Sequence, residues 1–161
     1  EDVEYLWETL LAGKLDWACS GHACCRHEKN LAGAKPDEIF KAKSGFGGTE
    51  YLLAALHTEG TRRGLSLNRM AELTSWNAAR RFGLPSKGDL AEGYDADVVL
   101  FDPKAKFTIR AAESESTQGY TPFEGIELTG KVVDTYLRGH RILADGKVVG
   151  SPTGQYMHRP Y

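Results

Sequence analysis

The fold is indicated by a short apolar run that leads into a polar, reactive segment: Leu15-Asp16-Trp17-Ala18-Cys19-Ser20-Gly21-His22-Ala23-Cys24-Cys25. The run 15–19 predicts a buried strand. The preceding residues 2–12 predict an amphipathic helix with Asp2 as its N-cap and with one apolar face, made of Val3, Leu6, Trp7, Leu10 and Leu11. A helix, a strand and then a reactive segment are typical of a (β/α) unit, in which chemistry takes place at the carboxyl ends of strands.

A long connection and three further helices follow this unit. Residues 26–48 show little periodicity and end in the glycine-rich segment Ser44-Gly45-Phe46-Gly47-Gly48. A loop of this length in a compact domain is more often functional than idle. Thr49, Ser66 and Asn77 each carry a side chain that can cap a helix, and Phe82-Gly83 ends the last one.

Glycine, aspartate and β-branched residues replace the helical periodicity after residue 83. Strands are predicted over 96–102, where Pro103 stops the strand, over 107–110, and in three short runs within 131–150. The pairs Arg138-Gly139 and Asp145-Gly146 between those runs predict tight hairpin turns.

These patterns divide the chain into an α/β half over residues 1–84, a β half over 85–150 and an extended tail over 151–161.

Composition excludes several classes of protein. The 161 residues are 41% hydrophobic and 26% charged, which is typical of a soluble globular protein. A net charge of −2 provides no basic surface for nucleic acid, and no apolar run approaches the roughly 18 residues of a membrane span. The cysteines number three and two are adjacent, so a simple disulfide framework is excluded and a reducing, cytoplasmic setting is favoured.

Several motifs, in order along the chain, resemble the cyclic amidohydrolases, the family of dihydroorotase, allantoinase and hydantoinase (dihydropyrimidinase). Residues 20–25 are similar to that family's strand-8 pattern Ser/Thr-Asp-His-Ala-Pro-Cys/His, and residues 44–50 are similar to its glycine-rich segment ahead of a helix. Further similarities lie in Leu65-Ser66-Leu67, in the runs 73–84 and 87–103, and in Thr121-Pro122-Phe123.

The resemblance implies a fold of the α/β plus β class. Residues 1–84 would be the C-terminal portion of a TIM-type (β/α) barrel, with its last strand and helices, and residues 85–150 part of the composite β-sandwich domain. A complete barrel needs about 250 residues, so the resemblance covers only the C-terminal part of the family's fold.

The resemblance also implies a metal-dependent reaction, the hydrolysis of a C–N bond in a cyclic amide. Family members hold two zinc ions on an H-x-H pair, a carboxylated lysine, two further histidines and the strand-8 aspartate, which also moves the proton. In this chain the aspartate position is Gly21, there is no H-x-H pair, and the five histidines are scattered. We therefore expect no zinc in this chain alone, no metal ligand within it, and no catalysis by it.

Residues that bind the substrate are expected in two places. The resemblance implies that Ser44, Gly45, Phe46 and Gly47 line the pocket, where glycine lets the backbone approach a ligand closely. His22 and Cys25 would lie beside them at strand 8. The other interpretation of residues 44–47 is a simple turn into a helix.

Two alternatives stay open at this point. His22, Cys24, Cys25 and His27 could form a local zinc site, although adjacent cysteines suit such a site poorly because their side chains diverge. The chain could also be a non-catalytic module that uses the hydrolase scaffold for oligomer contacts. A single barrel strand leaves an unpaired edge, so we expect a homo-oligomer or a partner chain that completes the barrel.

Overall fold

The computed structural model describes residues 1–23, 39–41 and 45–159, and these form helices in the first half and a sheet in the second. The α-helices are α1 (Asp2–Leu11), α2 (Leu52–Arg62), α3 (Leu67–Ala71) and α4 (Asn77–Arg81). Short 3-10 turns lie at Ile39–Lys41, Thr49–Tyr51 and Ala111–Glu113. The strands are β1 (Val98–Thr108), β2 (Glu127–Leu137), β3 (His140–Ala144) and β4 (Lys147–Val148). None of the helices in these described ranges has both the length and the apolar character needed to cross a membrane.

The first helix is confirmed, but its predicted cap is wrong. Glu1 occupies the N-cap position and makes no side-chain cap bond, and Asp2 is already helical. Trp7 and Leu10 pack against the core, whereas Val3 and Leu6, at 61% and 55% exposure, face away from it. Only part of the apolar face of α1 is therefore buried against the core.

The predicted strand over residues 15–19 is wrong. Residues 14–23 form no regular element, although the Ala18 N–H donates to the Leu73 carbonyl at 3.0 Å. That acceptor belongs to a helical segment, and a strand forms only where a neighbouring strand exchanges hydrogen bonds with it. The barrel portion of the predicted fold stays a prediction.

The Ser66 cap is confirmed and the caps at Thr49 and Asn77 are wrong. The Ser66 hydroxyl accepts from the Arg69 N–H at 3.1 Å. Thr49 makes no cap bond because it lies inside a 3-10 turn. Asn77 continues the helix through a π-helical segment, Glu72–Trp76, and its side-chain amide donates to the Asp16 carbonyl at 2.8 Å instead.

The second half contains one four-stranded sheet with strand order β1-β2-β3-β4. Two predicted strands, 96–102 and 107–110, are a single strand, β1, and Pro103 lies inside it. Proline has no N–H for a ladder hydrogen bond, but β1 is an edge strand, and edge strands accept proline. The expectation that Pro103 stops the strand is therefore wrong.

The two predicted hairpin turns are confirmed. Arg138 and Gly139 join β2 to β3 with φ of 47° and 78°, and Asp145 and Gly146 join β3 to β4 with φ of 49° and 76°. Two consecutive positive φ values define the turn whose twist matches that of paired antiparallel strands. The tail over 151–159 forms no regular element, as predicted.

The chain contains two compact units. The first comprises Glu1–Ala18, Leu53–Ala105 and Thr129–Tyr161, and the second comprises Cys19–Leu52 and Lys106–Leu128. Residues on both sides of position 84 belong to the same segment of the first unit, Leu53–Ala105. The predicted division between residues 84 and 85 therefore does not coincide with these units and stays a prediction. Its core is formed by Leu56, Leu65, Met70 and Leu73, with Trp7, Leu10, Ala18 and Phe101 packed against it.

A salt-bridge network joins the loop before β1 to the first hairpin turn. Lys87 Nζ lies 2.9 Å from an Asp95 oxygen and 2.5 Å from an Asp97 oxygen, and Asp97 also accepts from the Arg138 N–H at 2.8 Å. Hydrogen bonds from Lys87 and then Ser86 hold the pKa of Asp95 below its usual value. Burial by itself lowers the pKa of Lys87, but hydrogen bonds to the two aspartates outweigh it and the net shift is upward.

The centre of the core gives the first testable prediction. Leu73 is 0% exposed, so Leu73→Ala should lower the free energy of unfolding by about 2–5 kcal/mol through lost burial and a residual cavity. Leu67→Ala, at a side chain that is 51% exposed, is the matched control and should cost less than about 1 kcal/mol. Urea denaturation of both variants checks this, and equal losses would contradict the core assignment.

The Lys87 network gives a second prediction, in pH. A lowered Asp95 pKa stabilises the fold above the unfolded-state value of about 3.9 and ceases to do so as pH falls through the folded-state value. The raised Lys87 pKa stabilises the fold fully below the unfolded-state value of about 10.4, and this stabilisation is lost as pH rises further. The stability gap between wild type and Lys87→Met should therefore be widest between these two unfolded-state values, and it should shrink as pH falls through the lowered Asp95 pKa. Urea melts at several pH values measure it, and exposed Lys104→Met should show no such pH dependence.

Candidate functional site

The described candidate residues lie in the second unit, in two irregular segments. Gly21 and His22 belong to the segment after residue 18, and Gly45, Phe46 and Gly47 precede the 3-10 turn at Thr49–Tyr51. Ser44, Cys24, Cys25 and His27 lie outside the described residues, so the expectations for them, including the local zinc site, stay predictions.

A backbone hydrogen bond brings the two segments together. The Ala23 N–H donates to the Phe46 carbonyl at 3.0 Å. Gly45 has a φ of 102°, and a Cβ at this position would overlap the Cβ of Ala23. Only glycine permits this approach, so the glycine-rich sequence is required by close packing as well as by its conformation.

His22 binds the start of the 3-10 turn. Its Nδ1 accepts from the Gly48 N–H at 3.1 Å and from the Thr49 N–H at 3.3 Å. A nitrogen that accepts N–H groups carries no hydrogen of its own, so Nδ1 acts here as an acceptor only. The Ser20 and Thr49 hydroxyls, 2.9 Å apart, add a second link between the segments. His22 thus performs the capping role that the sequence assigned to the Thr49 side chain.

Gln118 is a part of the site that sequence reasoning missed. Its Oε1 accepts from the Gly47 N–H at 2.7 Å, and the residue is 5% exposed. Its only sequence signal is its place just before Thr121-Pro122-Phe123, one of the family-like motifs. A distance of 71 residues separates Gln118 from Gly47, so no local pattern could have joined them.

Aromatic rings form the other part of the site. Phe46 is 48% exposed, and its ring meets the edge of Phe123 with 5.9 Å between centroids. Tyr51 packs against Phe123 in the same edge-on manner at 6.4 Å. Burial raises the pKa of Tyr51 above its ordinary value, which favours the uncharged phenol beside these rings. The surface beside the glycine-rich segment is therefore partly apolar.

Gly21 has no side chain with which to act. Its φ is 58°, and a Cβ built on it would have no heavy atom within 4 Å. Within the ranges that the structure describes, no three His, Cys, Asp or Glu side chains are grouped so that they could hold a metal ion. The described residues therefore do not fit a two-zinc centre. What the described residues present at this place is an ordered backbone and an aromatic surface.

Comparisons with known proteins agree on one family. Residues 36–149 match the amidohydrolase family. The chain is 40% identical over 158 residues to an allantoinase from Rubrobacter xylanophilus and 35% identical over 159 residues to a D-hydantoinase from Geobacillus stearothermophilus. These alignments cover 98% and 97% of this chain and 34% of each relative.

A solved structure shares the fold. The D-hydantoinase (dihydropyrimidinase) from Thermus sp. superposes with a TM-score of 0.85 at 32% identity, over 92% of this chain and 32% of that one. The chain thus spans about a third of the length of the relatives it matches. Since the family match includes the glycine-rich segment and Gln118, the resemblance seen in the sequence is confirmed, and this chain belongs to the amidohydrolase family.

Proposed function

We propose that this chain is the C-terminal part of a metal-dependent enzyme that hydrolyses a C–N bond in a cyclic amide, of the hydantoinase, allantoinase or dihydroorotase type. Its role is to form one wall of the substrate pocket, and by itself it is inactive. The names of its relatives, an allantoinase and a D-hydantoinase, support this substrate class.

The observation that carries the proposal is the joined pair of segments in the second unit. His22 and Gln118 accept from three consecutive backbone N–H groups, those of Gly47, Gly48 and Thr49. An ordered backbone without side-chain bulk can approach a flat ring closely and hydrogen-bond its amide groups. This arrangement supports substrate binding by Gly45, Phe46 and Gly47, and for Ser44 and Cys25, which lie outside the described residues, a binding role rests on the resemblance alone.

The chemistry explains why we expect no activity from the chain alone. Hydrolysis adds the oxygen of water to the ring carbonyl carbon, breaks the C–N bond and delivers a proton to the leaving nitrogen. The water must lose a proton and the nitrogen must gain one, a task for a positioned acid–base group. Gly21, at the family's aspartate position, can neither accept nor donate a side-chain proton.

We propose zinc as a cofactor of the whole enzyme only, and not of this chain alone. The described residues do not fit a metal site. We place the ligands in the two thirds of the relatives' length that this chain does not match. We also propose a cytoplasmic setting and association with a second copy or with a partner chain that completes the barrel.

Gly21 favours a second candidate, a non-catalytic module that keeps the hydrolase scaffold for contacts between chains. A protein that no longer hydrolyses a ring does not need the aspartate, and glycine at 21 removes both its charge and its proton. The two candidates differ in what an aspartate at this position would do.

A chimera tests the proposed function. The aligned C-terminal third of the Geobacillus stearothermophilus D-hydantoinase is replaced by this chain, with either Gly21 or Gly21→Asp. A φ of 58° lies in the left-handed region that aspartate tolerates, and the space at this position is open. We expect Gly21→Asp to hydrolyse hydantoin, allantoin or dihydrouracil at least about 100-fold faster than the Gly21 chimera, because a positioned acid–base group contributes about 10²–10⁴-fold.

Gly21→Asn is the matched control, since it has the size of aspartate and tolerates the same backbone conformation but cannot carry the charge or exchange the proton. It should remain at the level of the Gly21 chimera. A folded Gly21→Asp chimera that hydrolyses none of these rings would overturn the enzyme proposal and support the non-catalytic module.

The mass and metal content of the purified chain give a further prediction. Val3, Tyr5 and Leu6 on α1 are each more than half exposed, which favours association. We expect native mass spectrometry to find a dimer or a larger particle, and metal analysis to find much less than one zinc per chain. A monodisperse 17.7 kDa monomer, or stoichiometric zinc, would contradict this.

A further inference from the structure

Three consecutive backbone donors of the glycine-rich segment are all bound by side chains from elsewhere in the second unit. Gly47 donates to Gln118 Oε1 at 2.7 Å, and Gly48 and Thr49 donate to His22 Nδ1 at 3.1 and 3.3 Å. The acceptors come from opposite directions along the chain, one 26 residues before Gly48 and one 71 residues after Gly47. The segment is thus held from two sides.

Gly47 has no room for a side chain between these two holders. A Cβ at this position would lie 2.8 Å from Gln118 Oε1 and 2.8 Å from His22 Cε1. Real Cβ atoms essentially never come closer than 3.0 Å to such neighbours. The imidazole and the carboxamide therefore enclose the Gly47 backbone, and we call His22 and Gln118 together the Gly47 clamp.

Because Gln118 is buried, its hydrogen bond to Gly47 is hard to replace. Gln118 is 5% exposed, so water cannot easily replace its Oε1 as the acceptor for Gly47. A buried N–H without an acceptor is costly, and the segment would have to move to satisfy it. Gln118 accordingly selects one position of the backbone.

The clamp also limits how the segment can recognise a ligand. The N–H groups of Gly47, Gly48 and Thr49 already have acceptors in Gln118 and His22. A ring would therefore be recognised by other backbone groups of the segment and by the Phe46 ring. Gln118 is buried behind the segment and acts through it.

We propose that Gln118 is a positioning residue for substrate binding: with His22 it holds the glycine-rich segment in the geometry that accepts a cyclic amide. This inference rests on the proposed function for its substrate, but the clamp itself is a property of this chain and can be tested without activity.

Hydrogen exchange on the 161-residue chain tests the clamp. Gln118→Met keeps the length of the side chain and removes the acceptor, and we expect exchange of the Gly47 amide to rise at least about tenfold. Gln118→Glu keeps an acceptor at the same place and should retain most of the protection. Thr121→Val is the control, because Thr121 is a buried polar residue of the same segment whose hydroxyl accepts from Phe123, not from Gly47.

Kinetics of the Gly21→Asp chimera test the role in substrate binding. Gln118→Met should raise KM about tenfold and leave kcat within about threefold, since the segment binds the ring in ground state and transition state alike. Gln118→Glu should restore KM, and Thr121→Val should not change it. A residue needed only for folding would instead reduce the active fraction, lowering the apparent kcat at constant KM.

The outcomes separate the clamp from the function. Unchanged Gly47 exchange in Gln118→Met overturns the clamp whatever the chimera does. Raised exchange with an unchanged KM in an active chimera overturns the positioning role and leaves the proposed function standing. A chimera inactive towards every ring overturns the proposed function and the substrate role together, while the exchange result still decides the clamp.

Discussion

A backbone N–H in a segment without regular structure needs a hydrogen-bond acceptor. The structure of the second unit depends on how this requirement is met. Within the part of the chain that the structure describes, residues 45–48 pair with no strand, and two side chains provide acceptors, Gln118 Oε1 and His22 Nδ1. Each of them fixes one part of the same short segment, and the glycines permit both to approach closely. Two polar side chains therefore hold this part of the site, beside the aromatic contacts of Phe46, Tyr51 and Phe123.

The first unit is organised differently, around apolar burial. Leu73 is fully buried, and the π-helical segment that carries it lets one continuous helical stretch present Met70 and Leu73 to the same core. The antiparallel strands are joined by two tight turns of positive φ, which need little besides their own residues. Apolar burial forms the core of this unit, and hydrogen bonds between distant residues, such as Asn77 with Asp16 and Arg138 with Asp97, add to it.

Under the proposed function the second unit supplies a binding surface, and Gly21 leaves the family's aspartate position without a side chain that could react. The proposed binding of a small flat ring rests on the ordered backbone, the exposed Phe46 ring and the clamped Gly47. Position 21 has an open space and no side chain, although its conformation is one that an aspartate can adopt. A glycine at the family's aspartate position fits both candidates, part of a hydrolase and a scaffold that no longer catalyses.

Local features of the sequence determined the helix over residues 2–11, the Ser66 cap, the two hairpin turns and the family, because each depends on residues close together in the chain. Only the tertiary structure decided the rest. Pro103 stays within a strand because that strand is at an edge of the sheet, and Asn77 continues a helix because its amide finds the Asp16 carbonyl. The strand expected over 15–19 is absent because a strand requires a neighbour, which no single segment can specify. Gln118 became part of the site for the same reason: its acceptor meets the Gly47 N–H 71 residues away, and hydrogen bonds between such distant residues exist only once the chain has folded.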